Sequence, residues 1–295
     1  MDSDDLKVFE AVARLGRMSL AADELHTVQS NVSTRIRLLE AQLGTALFAR
    51  HSRGVTLTEA GARLLPYAAQ VVRLVDEARR AARDDGRPGG PLTIGTLETT
   101  MATRLAPILA AYAAAHPGVD LTLRTGSTGE LVEAVLERRL DGAYVTGPVA
   151  HRDLAHERVL EEELVVVTAA SVRSLEALLG HGDVRIVVMR AGCSYRKILE
   201  AILARRGVVG LRHLEFGTWE SILGSVAAGL GVTLLPASMI GPAWRDGRLA
   251  VHHLPGREGR VETIFIRRRD AHLSSALAAF LDMARPKIVP MQAAE

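Results

Sequence analysis

At 295 residues and 48% hydrophobic, the chain can bury several cores and predicts two or three domains. A net charge of +2 excludes a polybasic, non-specific nucleic-acid binder. The single cysteine, Cys193, excludes an intramolecular disulfide and a Cys-based metal cluster, and the ten histidines show no metal-binding spacing such as HExxH, so no metal or cofactor is expected.

The chain opens on a helix over about Asp4–Arg14, which offers Leu6, Phe9 and Ala13 to a core. A short helix near Ser19–Leu25 turns Ala21, Ala22 and Leu25 inward. Thr27 is a plausible N-cap for the longer helix that follows. There Val32, Ile36, Leu39 and Leu43 recur on one face. Ser30, Thr34, Arg37 and Ala41 fall opposite, flanked by Asn31 and Ser33. Short hydroxyl and amide groups beside one guanidinium let a helix sink into the DNA major groove and read base edges. A basic segment follows, with Arg50, His51, Arg53 and Gly54, and then a wing strand at Val55–Leu57. Between Thr27 and Arg53, four arginines stand against one acid, Glu40, so the positive charge is local. This order predicts a winged helix-turn-helix in residues 1–58. Its DNA-binding residues are Gln29, Ser30, Asn31, Ser33, Thr34, Arg35, Arg37, Arg50 and Arg53. Of these, Ser30, Asn31, Thr34 and Arg37 are the base readers, and Arg35, Arg50 and Arg53 the phosphate clamps.

From Glu59 to Arg83, Ala60, Leu64, Tyr67, Val71, Leu74, Ala78 and Ala81 alternate steps of four and three, which makes a heptad seam. A helix of that span is roughly 37 Å long and pairs either with a second copy or with its own chain. Thr58 caps it; Pro66 costs a hydrogen bond or bends it. Residues 84–90 form a polar, Gly/Pro-rich hinge, so 59–90 is read as linker helix and hinge.

These residues are where the chain resembles the LysR-type transcriptional regulators. The resemblance runs from Leu6 to about Ala284. It is carried by AADELHTVQSNVSTRIRLLEAQLGTALFAR, TLTEAG, LTIGTLETT and ESILGSVAAGLGVTLLP. This chain departs from many members at Ser30, where they carry Pro, and at Arg17-Met18-Ser19, where they carry a Ser-Phe-Thr-like run. The resemblance implies an antiparallel dimer through the long helix, and dimers paired into tetramers.

Beyond the hinge, β-like runs alternate with helices: Leu92–Thr96, Leu121–Arg124, Gly142–Val145, Leu164–Thr168, Ile186–Met189, His213–Phe216, Thr233–Leu235 and Thr263–Ile266. Helices are expected over Arg104–Ala115, Gly129–Arg139, Tyr195–Arg206 and Glu220–Ala228. Alternation of this kind argues for doubly wound parallel α/β sheets. The resemblance implies a periplasmic-binding-protein-like pair of subdomains in residues 91–295. The chain would cross near 162 and return near 263, giving subdomains 91–161 with 263–295, and 162–262. The run Glu161–Glu163 reads as a solvated turn, and His252-His253 as an exposed strand pair.

Ligands of open α/β sheets sit beyond the carboxyl ends of the strands. Five loops there carry hydroxyls at helix starts, so the effector-binding candidates are Glu98, Thr99, Thr100, Ser127, Thr128, Thr146, Ser194, Arg196, Trp219 and Glu220. By resemblance, Thr99, Thr100, Ser127, Thr128 and Thr146 occupy inducer positions. Arg196 as a carboxylate clamp and Glu98 as an amine partner would favour an amino-acid-like effector. No catalytic residue is assigned: Cys193 lacks a base held within reach, and an enzyme is not expected.

Three classes remain open: a ligand-responsive regulator, a binding protein without DNA activity, and an enzyme on a doubly wound fold. The winged module separates the first from the others. The expected partners are double-stranded promoter DNA, a small-molecule effector and copies of this chain as homodimer or homotetramer. The acidic start MDSDDLKVFE and the lack of an apolar run of roughly 18–20 residues predict a cytoplasmic protein with no membrane partner.

Overall fold

The computed structural model describes residues 1–179, 184–189, 192–208, 210–240 and 247–288. The end of the expected first subdomain, 289–295, lies outside them. The chain divides into two compact units, Met1–Asp85 and Gly86–Glu295.

In the first unit, α1 (Ser3–Leu15) starts on a reciprocal cap: the Asp5 amide donates to Asp2 and the Asp2 amide to Asp5. It stops at Gly16 in the left-handed conformation. Helices α2 (Met18–Glu24) and α3 (Gln29–Leu43) follow, and Phe9, Val12, Ala21, Val32, Ile36 and Leu39 close one core. Two local expectations need correction. The residue that caps α3 is Val28, not Thr27, and its side chain makes no capping bond; the Thr27 hydroxyl instead accepts from the Asn31 amide at 3.0 Å. Leu43 is exposed, because Gly44 ends the helix and Leu47 fills the core in its place.

Strands β1 (Phe48–His51) and β2 (Gly54–Leu57) pair antiparallel, with His51 opposite Gly54, so Ser52-Arg53 is the tip of a two-residue hairpin. Only β2 was expected. The run Ala49-Arg50-His51 is exposed and has no inward alternation to betray a strand. Glu40 anchors the approach to the hairpin by accepting from the Leu47 and Phe48 amides.

Helix α4 (Glu59–Arg83) is capped by Thr58, whose hydroxyl accepts from the Gly61 amide, and it continues through Pro66. The heptad seam divides. Ala60 and Leu64 turn toward the α1 side with Leu65, Ala68 and Val72, whereas Tyr67, Val71 and Leu74 stay exposed at 67%, 38% and 49%.

The second unit is built on β3 (Gly90–Thr96), β4 (Val119–Thr125), β5 (Gly142–Thr146) and β11 (Arg260–Arg268) around the long strand β6 (Leu154–Ala169). The first half of β6 pairs with β11, and its second half with β9 (Thr233–Pro236) and β10 (Leu249–His253). Strands β7 (Arg185–Met189) and β8 (Arg212–Phe216) pair beside that second half. The βαβ pairs β3–β4, β3–β5 and β7–β8 are parallel, as expected. The crossing strands β6 and β11 are antiparallel to each other, so the sheets are mixed. Helices α5 (Glu98–Thr100), α6 (Ala106–Ala115), α7 (Thr128–Leu136), α8 (Leu175–Leu179), α9 (Ser194–Arg205), α10 (Trp219–Ala227) and α11 (Ser275–Ile288) cover them. A π-helical turn, Met101–Leu105, joins α5 to α6. One core gathers Ile94, Ile108, Tyr112, Tyr144 and Phe280; another gathers Val165, Ile186, Leu199, Ile222 and Leu234.

The acidic run Glu161–Glu163 is not a turn. It lies inside β6, with Glu161 bonded to Arg260, Glu163 to His253, and Glu162 buried. Likewise His252 and His253 differ: His253 is exposed, but His252 is half-buried and meets the Thr168 hydroxyl at 2.9 Å.

Candidate functional site

On the first unit, α3 presents Gln29, Ser30, Asn31, Thr34 and Arg37 to solvent, with Ser33 half-buried beside them. Arg37 bridges locally to the Thr34 hydroxyl and the Ser33 carbonyl, both at 3.3 Å. A groove of about 600 Å³ runs between the start of α3 and the wing. Gln29, Ser33, Arg50 and Arg53 line it with His51 of the expected basic segment, joined by Arg17, Ser19 and Ser52, which were not among the expected DNA contacts. No carboxylate is among the lining residues, so the groove carries a positive field suited to phosphate. Arg17 lies close to the wing because the β2 amide of Val55 donates to Gly16 at 2.9 Å. Arg35 is different: it is half-buried and donates to Asp5 at 3.0 Å, which pins α3 to α1.

In the second unit, five strand–helix loops converge on a cleft of about 320 Å³. Seven of the ten expected residues line it: Glu98, Thr99, Ser127, Thr128, Thr146, Ser194 and Trp219. The loops are tied by hydroxyl contacts. Ser194 donates to Thr128 at 2.9 Å, the Thr128 hydroxyl accepts from the Thr146 amide at 3.2 Å, and Thr99 meets the Tyr195 hydroxyl at 3.2 Å. Ser127 and Glu130 form a capping box on α7, and Thr218 caps α10. Cys193 is the N-cap of α9 and makes no regular capping hydrogen bond, but its thiol lies against the Tyr195 and Arg196 amides.

Three expected residues do not line the cleft. Thr100 is buried, its hydroxyl without a partner among the described residues. Glu220 is exposed on the first turn of α10. Arg196 is held by Glu200 at 3.0 Å and Glu215 at 2.5 Å, so its charge is already satisfied on α9 and β8. Sequence reasoning missed Leu97, Met189, Cys193 and Tyr195, which give the cleft its apolar wall. Tyr195 was visible next to Ser194, but an aromatic at a helix start reads as core. Burial first, and then the charge of Glu162, hold its phenol well above its usual range and so protonated. Desolvation first, and then Glu220, push the Glu98 carboxyl up. The Cys193 thiol is also pushed up by burial, and His213 is bonded to Glu200 at 2.9 Å, which leaves no activated nucleophile in this pair. No group of acidic, His or Cys side chains arranged to hold a metal occurs among the described residues.

Beneath the cleft, Glu162 is 6% exposed. One carboxylate oxygen accepts from the Thr263 hydroxyl at 3.0 Å and the other has no partner among the described residues. Burial raises its pKa, and Thr263 and Arg104 oppose the shift only in part. A carboxyl raised on folding binds its proton more tightly in the folded chain. Its favourable contribution is present below the ordinary value of 4.5 and is lost as pH rises through the raised one. Glu162→Gln should therefore stabilise the unit at pH 7–8 by about 1–2 kcal/mol, and the gain should shrink toward pH 4–5. Urea titrations at both pH values measure this; a destabilised variant at neutral pH would contradict it.

A winged helix-turn-helix with a cation-lined groove, followed by a two-subdomain α/β unit around a polar cleft, defines the class of ligand-responsive DNA-binding regulators. Residues 3–62 match the bacterial regulatory helix-turn-helix model of the lysR family, and residues 85–288 match the LysR substrate binding domain. The chain belongs to the LysR family of transcriptional regulators. It is 44% identical to the HTH-type transcriptional regulator GltR of Bacillus subtilis over 280 residues, 95% of each chain. It is 45% identical to the uncharacterized regulator YusT of the same organism, covering 97% of this chain and 96% of that one. Its fold matches that of CbnR solved with its target DNA, with a TM-score of 0.66 at 24% identity, covering 97% of this chain and all of that one.

Proposed function

We propose that residues 1–58 read promoter DNA, that 59–90 link and pair the chains, and that a small effector bound in the cleft of 91–295 alters promoter binding. The observation that carries this is the cleft itself, where hydroxyls from separate loops meet beside the start of α9 in a chain that also has a basic winged module. Ser30, Asn31, Thr34 and Arg37 are exposed on α3 and read bases, with Gln29 and Ser33 at the groove edge. Arg50 and Arg53 meet phosphates. Arg35, already paired to Asp5, holds α3 in place and adds to DNA affinity indirectly. The effector contacts are Thr99, Ser127, Thr128, Thr146, Ser194 and Trp219, with Glu98 at the mouth. Thr100, Arg196 and Glu220 support these loops from outside the cleft.

The cleft serves binding rather than catalysis, a reading supported by the regulator families that match both units. It works as a dimer or tetramer, given the apolar stripe left open on α4. Reading DNA places its work in the cytoplasm, an assignment supported by its DNA-binding family; among the described residues no helix is long and apolar enough to cross a membrane.

Fluorescence anisotropy with the DNA upstream of the chain's own gene tests the DNA half. Arg53→Ala should weaken all sequences about equally and flatten the salt dependence by about one unit. Thr34→Ala should relax preference at one base pair by roughly 1–3 kcal/mol. If no upstream fragment binds in a salt-sensitive way, the reading fails.

A further inference from the structure

The charge of the cleft is one-sided. Among its described lining residues there is no Lys, Arg or His, but there are two carboxylates, Glu98 and Glu130. Glu130 is spent on the α7 cap, where it accepts from the Ser127 amide and hydroxyl. The Glu98 carboxylate makes no hydrogen bond or ion pair to a described residue, and Glu220 is close enough to act on it as a like charge. Arg196, next to Tyr195, is tied to Glu200 and Glu215, and Arg124, next to Thr125, is not among the lining residues; Arg190, next to Met189, lies outside the described residues. Two rings stand in the same cleft, Tyr195 and Trp219, with centroids 6.4 Å apart. The Trp219 side chain is over nine-tenths buried and its indole N–H has no partner among the described residues.

From this arrangement we infer that the effector carries an ammonium group, received by Glu98 against the faces of Tyr195 and Trp219. The inference rests on the reading of this cleft as the effector site. A carboxylate left unpaired beside a like charge is relieved by a bound cation, and aromatic faces attract the same charge. The free indole N–H adds a donor for an acceptor atom on the same ligand, and the hydroxyl ring of Thr99, Thr128, Thr146 and Ser194 restricts the body to a compact polar one. A free dicarboxylate would instead bring negative charge toward Glu98 with no described basic side chain in the lining to meet it.

The test uses the full-length protein and five probes: butylamine, putrescine, ornithine, butyrate and succinate. Thermal shift and isothermal titration should show stabilisation by at least one amine and by neither acid. Ornithine against butylamine separates an amino-acid effector from a simple amine. Glu98→Gln removes the charge at an exposed position and should weaken amine binding about tenfold or more, with the free protein melting no lower than the parent. Ser194→Phe places a ring in the cleft and should abolish binding. Stabilisation by acids alone, lost in Ser194→Phe, would overturn the ammonium assignment and leave the cleft as the effector site. Amine binding that survives Ser194→Phe would overturn both. Amine binding equal in Glu98→Gln and the parent, or no response to any amine, also overturns the assignment.

Discussion

Gly54→Val should cost the protein its tight DNA binding and leave the effector unit folded. Gly54 has φ +142°, a conformation that L side chains rarely adopt. A Cβ built there would lie 2.3 Å from the Gly16 carbonyl oxygen and 3.2 Å from the Arg17 side chain. The carbonyl is backbone and cannot step aside, since it ends α1 and accepts from the Val55 amide. The hairpin must therefore leave α1, carrying Arg50 and Arg53 away from the start of α3. Strain and lost packing amount to roughly 2–4 kcal/mol, or on the order of a hundredfold in affinity if it falls on the DNA-bound form. Anisotropy measures the affinity, and thermal unfolding of the variant should retain the transition of the second unit. An affinity equal to the parent's would show that the wing takes no part in binding.

Val71→Asp should shift the protein from dimer to monomer. Tyr67, Val71 and Leu74 lie at i, i+4 and i+7 on α4 and are exposed, while Ala68 on the inner face is fully buried against the helix-turn-helix core. A stripe of that kind is satisfied by a second copy, and a carboxylate in its middle is desolvated on pairing without a partner. The dimer dissociation constant should rise about a hundredfold or more, read by sedimentation velocity across a concentration series. Because Val71 is outside the monomer core, secondary structure should not change. A sedimentation profile identical to the parent's would count against pairing through this helix.

The expectations that held are those with a period. Three inward positions of α3 are fully buried, and the Thr58 cap stands where an N-cap was read. Parallel βαβ pairs appear where strand-like and helix-like runs alternate. Among the expected residues that carry a hydroxyl after a strand's carboxyl end, Thr99, Ser127, Thr128, Thr146 and Ser194 line the cleft and Thr100 does not. The failures share a cause as well. Strand β1 was hidden because its partner lies across a turn. The run Glu161–Glu163 looks solvated because three adjacent acids are costly anywhere else. It is tolerated in β6 because alternate side chains point to opposite faces: Glu161 and Glu163 reach Arg260 and His253, and Glu162 turns inward. Arg35 was read as a free cation because its partner Asp5 is 30 residues away; for Arg196 the i,i+4 partner Glu200 was legible on the helix, and only Glu215, 19 residues away, was not.

Read alone, then, the chain determines what depends on neighbours within about four residues along a helix or two along a strand: the helices, the Thr58 cap, the outward face of α3 and the open stripe of α4. Charge pairing between distant segments depends on distances that only folding sets. The tertiary structure alone decided that Arg35 is a brace, that Glu215 joins Glu200 on Arg196, that Glu162 is buried under the cleft, and that the Glu98 carboxylate is left there without a described partner.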